Sequence, residues 1–436
     1  MNKLFQALNR SRIFRGLDEK EFSWVLYDVG NSAFTMLSCS LIPIWFKAMA
    51  KGHITDDQAT AYWALAISVV TVIVALLGPI CGVLADRKDK RKLFFSIAVA
   101  AGCIGCVFTG FLGGWLAFII VHIISKVAYQ ASLTFYDSML NDVTTEERMD
   151  EVSSYGYAWG YIGSCIPFLV ALIAYVLGPD MVGVLSAFWS RLIGCTVTAA
   201  WWFMVTIPLL KNYKQRNYVD DEHRQTVAGV FKKLGGTLKR IAVEDKKVFL
   251  FLIAFFLYID GVNTIIDNCI NIGTDLGIDT VGQVIFLLAT QVVAWLGSLV
   301  FAKLPKKHKT VNLILICIVG YFLVCLYALT LKTLWHFGIL AFGVGCFQGS
   351  IQSLSRSYYS KIIPAENSSE YFGIYDIFSK GASFLGSAVI AWVKLAGGTI
   401  NVAVASLAVF FGLGFLFLWL AGKQKNLNGE EPTEAE

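Results

Sequence analysis

The sequence predicts an all-α membrane protein of twelve transmembrane helices arranged as two six-helix pseudo-repeats. Three observations predict it. Of 436 residues, 56% are hydrophobic and only 15% charged, against roughly 45–50% and 25% in a soluble globular chain. Bands of about 20 or more nearly uncharged residues, long enough to cross about 30 Å of hydrocarbon, recur along almost the whole chain. A motif in the fourth band is echoed half the chain away in the tenth.

Read between charged or Gly/Pro breaks, the bands run 22–48, 57–86, 90–113, 115–140, 151–178 and 188–211, then 247–273, 279–303, 309–331, 334–361, 369–396 and 399–422. The first 20 residues carry Lys3, Arg10, Arg12, Arg15, Asp18 and Glu19 and lack the apolar core of a signal peptide, so the first band is expected to stay in the mature chain. Within 212–246, Val227, Val230, Phe231, Leu234, Leu238 and Ile241 recur at helical spacing opposite Lys232, Lys233, Lys239 and Arg240. This reads as an amphipathic helix on the inner membrane surface, or as a plain solvated linker. The expected organisation is a cytoplasmic segment (1–21), an N-terminal six-helix bundle (22–211), a cytoplasmic linker (212–246), a C-terminal six-helix bundle (247–422) and a cytoplasmic tail (423–436).

The net charge of +5 is sorted by topology: about 29 of the 36 Lys and Arg fall in the connections on the side that holds both termini. By the positive-inside rule that side is cytoplasmic, and no nucleic-acid partner is expected. All ten cysteines lie in apolar bands, so neither a disulfide framework nor a zinc site is indicated, Cys103-x-x-Cys106 included. The repeat rests on Tyr129-Gln130-Ala131-Ser132-Leu133 against Phe347-Gln348-Gly349-Ser350-Ile351, and on Tyr27, Asp28 and Asn31 against Tyr258, Asp260 and Asn263 with one residue inserted.

A charge at mid-bilayer costs about 2.5–3.5 kcal/mol on insertion scales, so embedded polarity is the most informative feature of such a chain. It gathers on the first span (Tyr27, Asp28, Asn31), the fourth (His122, Lys126, Gln130, Asp137), the seventh (Asp260, Asn263) and the tenth (Gln348, Gln352, Arg356). One polar span in three is the pattern of a central cavity lined by the first helix of each triplet. Tyr27, Asn31, Lys126, Gln130, Asp260, Asn263, Gln348 and Gln352 are the expected substrate-binding residues, with Lys126 and Asp260 near the midplane; either could instead be a neutralised structural partner. Asp28, Asp260 and His122 are the candidates for proton coupling, although a lone His beside a Lys also reads as simply hydrogen-bonded. Asp137 and Arg356, with Asp28, lie nearer the cytoplasmic ends, where an inner gate or snorkelling accounts for them. Asp376 and Lys380, four apart, can pair with each other.

The turn Gly82-Val83-Leu84-Ala85-Asp86-Arg87-Lys88-Asp89-Lys90-Arg91-Lys92 combines a glycine that permits close helix contact, an acid able to accept from the N–H groups of a helix N-terminus, and a basic cluster. A conformational latch built on Asp86, Arg87 and Arg91 is one reading and a stop-transfer loop the other. The corresponding stretch of the second half, Gly297 to Lys309, has no matching acid.

Gly82 to Lys92 resembles the signature loop of the major facilitator superfamily, Gly-x-x-x-Asp-(Arg/Lys)-x-Gly-(Arg/Lys)-(Arg/Lys), departing at Asp89, where Gly is usual. Tyr27-Asp28-Val29-Gly30-Asn31-Ser32-Ala33-Phe34 is similar to the Tyr-Asp-Trp-Ala-Asn-Ser-(Ala/Ser)-(Phe/Tyr) motif of one family within it, the autophagy-related vacuolar-effluxer-like group. Gln352-Ser353-Leu354-Ser355-Arg356-Ser357, and Glu370-Tyr371-Phe372-Gly373-Ile374-Tyr375 with Lys380, match further motifs of that group, and the resemblance spans about 22–422. It implies the major facilitator fold and alternating access. It also implies kinship with fungal proteins that export amino acids from vacuoles.

The function expected is secondary active transport of a small polar solute, an amino acid or related metabolite, by alternating access with proton coupling. The alternatives are a lipid or amphiphile translocase on the same fold and a non-transporting membrane sensor. No G-x-x-x-x-G-K-[ST] motif or Ser/His/Asp arrangement is found, so neither an enzyme nor a cofactor is expected. The expected partners are the bilayer, a small-molecule substrate and a proton, for a monomeric multi-pass protein of the cell membrane with both termini cytoplasmic.

Overall fold

The structure is a computed structural model that describes residues 16–179, 181–220, 227–268, 272–273, 277, 280–306, 308–381 and 384–424. Its elements are helical, apart from two isolated bridges. In chain order the principal helices are α1 (Glu19–Cys39), α2 (Leu41–Ala50), α3 (Asp56–Ala85), α4 (Lys90–Phe111), α5 (Trp115–Ser138), α6 (Met149–Val176), α7 (Ala187–Asn212) and α8 (Val227–Val243). There follow α9 (Lys246–Asp267), α10 (Thr280–Phe301), α11 (Thr310–Tyr327), α12 (Leu334–Ile362), α13 (Ser368–Gly381), α14 (Phe384–Leu395), α15 (Ile400–Ser406) and α16 (Ala408–Gly422).

Among the described residues, ten helices are long and apolar enough to cross a membrane, and two shorter apolar helices, Leu288–Phe301 and Leu385–Leu395, fall within the eighth and eleventh expected spans. One band expected to be continuous is interrupted. The first divides at Ser40, where Pro43 stands in the first turn of α2 and offers no N–H to an upstream carbonyl. In the eleventh, helix is described over α13 and α14, and residues 382–383 between them lie outside the described residues. Helix starts follow local chemistry. Asp18 and Glu21 form a reciprocal capping box on α1, as do Thr55 and Gln58 on α3, each pair satisfying N–H groups that have no intrahelical acceptor.

The chain divides into two compact units: 1–145, 159–222 and 366–373 form the first, and 146–158, 223–365 and 374–436 the second. α6 therefore begins in the second unit and continues in the first, and α13 does the reverse. In the first unit Trp24 stacks on Tyr136 at 4.4 Å and Tyr27 packs edge-on to Phe95 at 4.9 Å, all fully buried. In the second, Phe255 stacks on Tyr375 at 4.1 Å and Tyr321 on Phe411 at 5.2 Å. α8 turns Val230 and Ile241 inward and packs against α9, while Leu238 remains 43% exposed. The side chains of Val227 and Phe231 lie outside the described residues.

Candidate functional site

Within the first unit, the polar faces read from the first and fourth spans meet each other. Tyr27 and Ser132 hydroxyls are 2.6 Å apart, Thr35 and Tyr129 hydroxyls 2.5 Å, and Ser38 Oγ lies 3.2 Å from His122 Nε2. The three contacts run antiparallel along α1 and α5. Lipid offers no competing hydrogen-bond partner, so such bonds join spanning helices where apolar contact alone gives no preference over lipid. Asp28 is buried and accepts from Asn31 Nδ2 at 3.0 Å, one turn along the same helix, and Asn31 also donates to the Tyr27 carbonyl.

Lys126 is placed differently. It is half-buried in a narrow gap between α3 and α5, with room for about one water molecule, walled by Trp63, Ala66, Ile67, Val70, His122 and Ile123. The indole of Trp63 stacks on the His122 ring, 15° from parallel at 5.5 Å. Among the described residues no carboxylate pairs with Lys126. Gln130, one turn further along, is also half-buried. The gap is lined by a cation, a flat aromatic wall and an aliphatic floor.

In the second unit Tyr258 repeats the Tyr27 contact, its hydroxyl 2.6 Å from Ser355 Oγ. The sequence echo pairs Ser132 with Ser350; the hydrogen bond uses Ser355, five residues further on. Asp260 is fully buried, and Asn263, Gln348 and Gln352 are half-buried. Asp376 is buried and engaged, whereas the Lys380 side chain lies outside the described residues, so their pairing cannot be described there.

The signature loop closes on the start of α13. Asp86 accepts the Ser369 N–H on Oδ1 at 2.8 Å and the Glu370 N–H on Oδ2 at 2.9 Å, satisfying first-turn donors that a helix cannot satisfy itself. Arg91, fully buried, bonds Asp86 at 2.7 Å, Asp142 at 2.6 Å and Ser369 Oγ at 2.7 Å. Burial pushes the Asp86 carboxyl up from the ordinary aspartate range, against the opposing pull of Arg91 and the two backbone N–H groups. Asp142 also receives Tyr213 and the backbone N–H groups of Arg216 and Asn217. A side chain on Gly82 would stand 2.3 Å from the Ser369 carbonyl oxygen, and one on Gly373 2.6 Å from Pro79 Cα, so both positions are restricted to glycine by neighbouring main chain. Arg87 and Asp137 are half-buried and engaged.

Asp89, where the signature has glycine, adopts φ +60°, the only non-glycine residue with positive φ among those described. Aspartate tolerates this left-handed conformation where branched residues do not. Asp89→Gly is expected to leave the melting temperature unchanged or raise it, by up to about 1 kcal/mol in stability, and Asp89→Val to lower it by about 1–2 kcal/mol. Thermal melting of the purified variants checks both.

The second unit has its own polar cluster, and the acid missing from the loop before α11 comes from elsewhere. Asp150, at the start of α6, accepts from Thr310 Oγ1 at 2.6 Å, Lys361 Nζ at 2.7 Å and Ser357 Oγ. Arg356 donates to Ser153 Oγ and the Ser153 carbonyl and lies over the Tyr157 ring at 4.6 Å. Asp142, Asp150, Tyr213 and Ser369 are the site residues that sequence reasoning missed. Asp150 stands in an acid-rich stretch with Glu146, Glu147 and Glu151, which does not by itself single it out.

Residues 55–430 match the family described as vacuole effluxer Atg22 like. The chain is 39% identical over 404 residues to YxiO of Bacillus subtilis, an uncharacterized MFS-type transporter, covering 92% of this chain and 94% of the relative. It is 28% identical over 305 residues to autophagy-related protein 22-1 of Sclerotinia sclerotiorum, covering 63% of this chain and 50% of that longer protein. Among solved structures, the fold is similar to that of the major facilitator transporter FucP (TM-score 0.71, 15% identity, 93% and 98% of the two chains). It is likewise similar to that of the human organic anion transporter MFSD10 (TM-score 0.70, 11% identity, 92% and 99%).

Proposed function

Because the chain belongs to the vacuole effluxer Atg22-like family, a family of major facilitator transporters rather than enzymes, we propose that it carries a small anionic or zwitterionic metabolite of the amino-acid class, coupled to protons. The observation that carries the substrate reading is Lys126, a half-buried cation without a carboxylate partner among the described residues, beside an aromatic wall. A charge held at such depth is costly unless something compensates it, and a substrate carboxylate would. Its apolar portion would lie against Trp63 and Val70. Tyr27, Asn31, Gln130, Asn263, Gln348 and Gln352 supply further polar contacts in this reading.

The transport cycle proposed is alternating access by two six-helix halves in a twelve-span chain. Asp86, Arg87, Arg91, Asp137, Arg356, Asp376 and Lys380 belong to its gating apparatus, and the Asp86 contacts with Ser369 and Glu370 support a latch that must break and re-form. The proposed setting is the cell membrane, as a monomer with both termini cytoplasmic. Coupling is assigned to Asp28, Asp260 and His122. In proteoliposomes under an imposed pH gradient, Asp28→Asn or Asp260→Asn is expected to abolish gradient-driven accumulation of an amino-acid substrate while leaving counterflow exchange. Unchanged gradient dependence in both variants would overturn proton coupling.

A further inference from the structure

Asp28 and Asp260 occupy equivalent places in the sequence echo, each followed by asparagine three residues later, yet their surroundings differ. Asp28 accepts from Asn31. Neither carboxylate oxygen of Asp260 has a hydrogen-bond partner, and the residue is fully buried. One turn along α9 the Thr264 hydroxyl is equally buried and equally unpartnered. Three orphaned oxygens thus stand together on one helix face. That face meets α14 at Gly386: a Cβ there would lie 2.2 Å from Thr264 Oγ1, and the Gly386 N–H faces Asp260. An unpaired buried carboxylate beside an unpaired hydroxyl is too costly to be kept as packing.

We infer that Asp260, Thr264 and the main chain at Gly386 form a binding site for one monovalent cation, taken as H⁺ or Na⁺, inside the second unit. The inference rests on the secondary-transport reading and specifies its coupling site. The chemistry suits both loaded and unloaded states. The Gly386 N–H, which faces Asp260, stabilises the carboxylate when no cation is bound. The Thr264 oxygen can ligate Na⁺, accept a hydrogen bond from a protonated Asp260, or donate one to the ionised form.

On α13, which packs on α9 through Tyr375, Asp376 is buried and engaged and the Lys380 side chain lies outside the described residues; the remaining charges of the neighbouring helices, among the described residues, are placed as follows. α16 carries none, and Lys394 of α14 is eight residues beyond Gly386, about 12 Å along the helix. On α12, His336 meets Thr333, Arg356 meets Ser153 and Lys361 meets Asp150. Lys246 and Lys247 begin α9 some 20 Å away, preceded by Lys232, Lys233, Lys239 and Arg240 of α8, and Asp267 lies two turns beyond Asp260. Asp260 is therefore the group that a cation would neutralise.

The test is thermal melting of the purified full-length chain without substrate, titrated with NaCl against N-methylglucamine chloride at fixed ionic strength and pH 8, and separately with acid in sodium-free buffer. A melting rise with sodium in the wild type that is lost in Asp260→Asn identifies Na⁺. A rise on acidification alone, also lost in Asp260→Asn, identifies H⁺. Thr264→Val, nearly isosteric, keeps the site testable should Asp260→Asn fail to fold. It is expected to weaken the response by about tenfold in sodium concentration, or by about one pH unit. Wild-type melting that responds to neither cation, or a response unchanged in the variants, would overturn the inference and leave the transport reading to the vesicle assay.

Discussion

Replacing Arg91 by methionine is expected to destabilise the protein by about 3–5 kcal/mol, the largest stability loss from any single substitution considered. The guanidinium is fully buried and bonds two carboxylates, Asp86 and Asp142, together with Ser369. Removing it leaves two buried acids without their cation, and methionine fills the space without replacing a single bond. Lysine keeps the charge but cannot reach three acceptors with a planar fork, so Arg91→Lys should fall between the two. The discriminating measurement is a double-mutant cycle by thermal melting. Arg91→Met with Asp142→Asn should be more stable than Arg91→Met alone, because one stranded charge has been removed. Strictly additive losses would show that Arg91 and Asp142 are not coupled.

Lys126→Met is expected to act in the opposite sense on stability and more severely on transport. Methionine matches the length of lysine and keeps the cleft filled. With no carboxylate pairing the ammonium, its loss relieves a desolvation cost, so melting should hold or rise. Substrate accumulation should fall at least about 100-fold, equivalent to about 2.7 kcal/mol of lost substrate interaction, with Lys126→Arg retaining part of it. A lysine that served as a structural partner would give the reverse pattern, lowered melting with transport reduced only in proportion to folded protein. Measuring both quantities on the same preparation decides between them.

The two sites were legible in the sequence to different degrees. Lys126 could be found because a cation in an apolar band is rare whatever surrounds it. Asp86 and Arg91 stand in a recognisable turn, in which Asp89 takes the left-handed conformation usual for the glycine it replaces. Asp142 could not be assigned, since its partner lies 51 residues away and only the fold brings them together. The polar faces of the first and fourth spans were read as cavity lining. In a bilayer the same residues also serve to join helices, as Tyr27 and Ser132 do, and composition does not separate the two uses. The break at Ser40 has a local cause in Pro43.

The glycines at 82 and 373 bear on how α3 and the opening of α13 could part. Interdigitated side chains hold helices in register as gear teeth do, and separating them requires rotamers to change. Here main chain rests on main chain. The contact works as a plain bearing, with no teeth to unmesh, and what must be undone is the pair of hydrogen bonds to Asp86 and the Arg91 contact with Ser369. On the latch reading proposed above, a seam of that kind would open by a sliding or rolling step and close again in the same register.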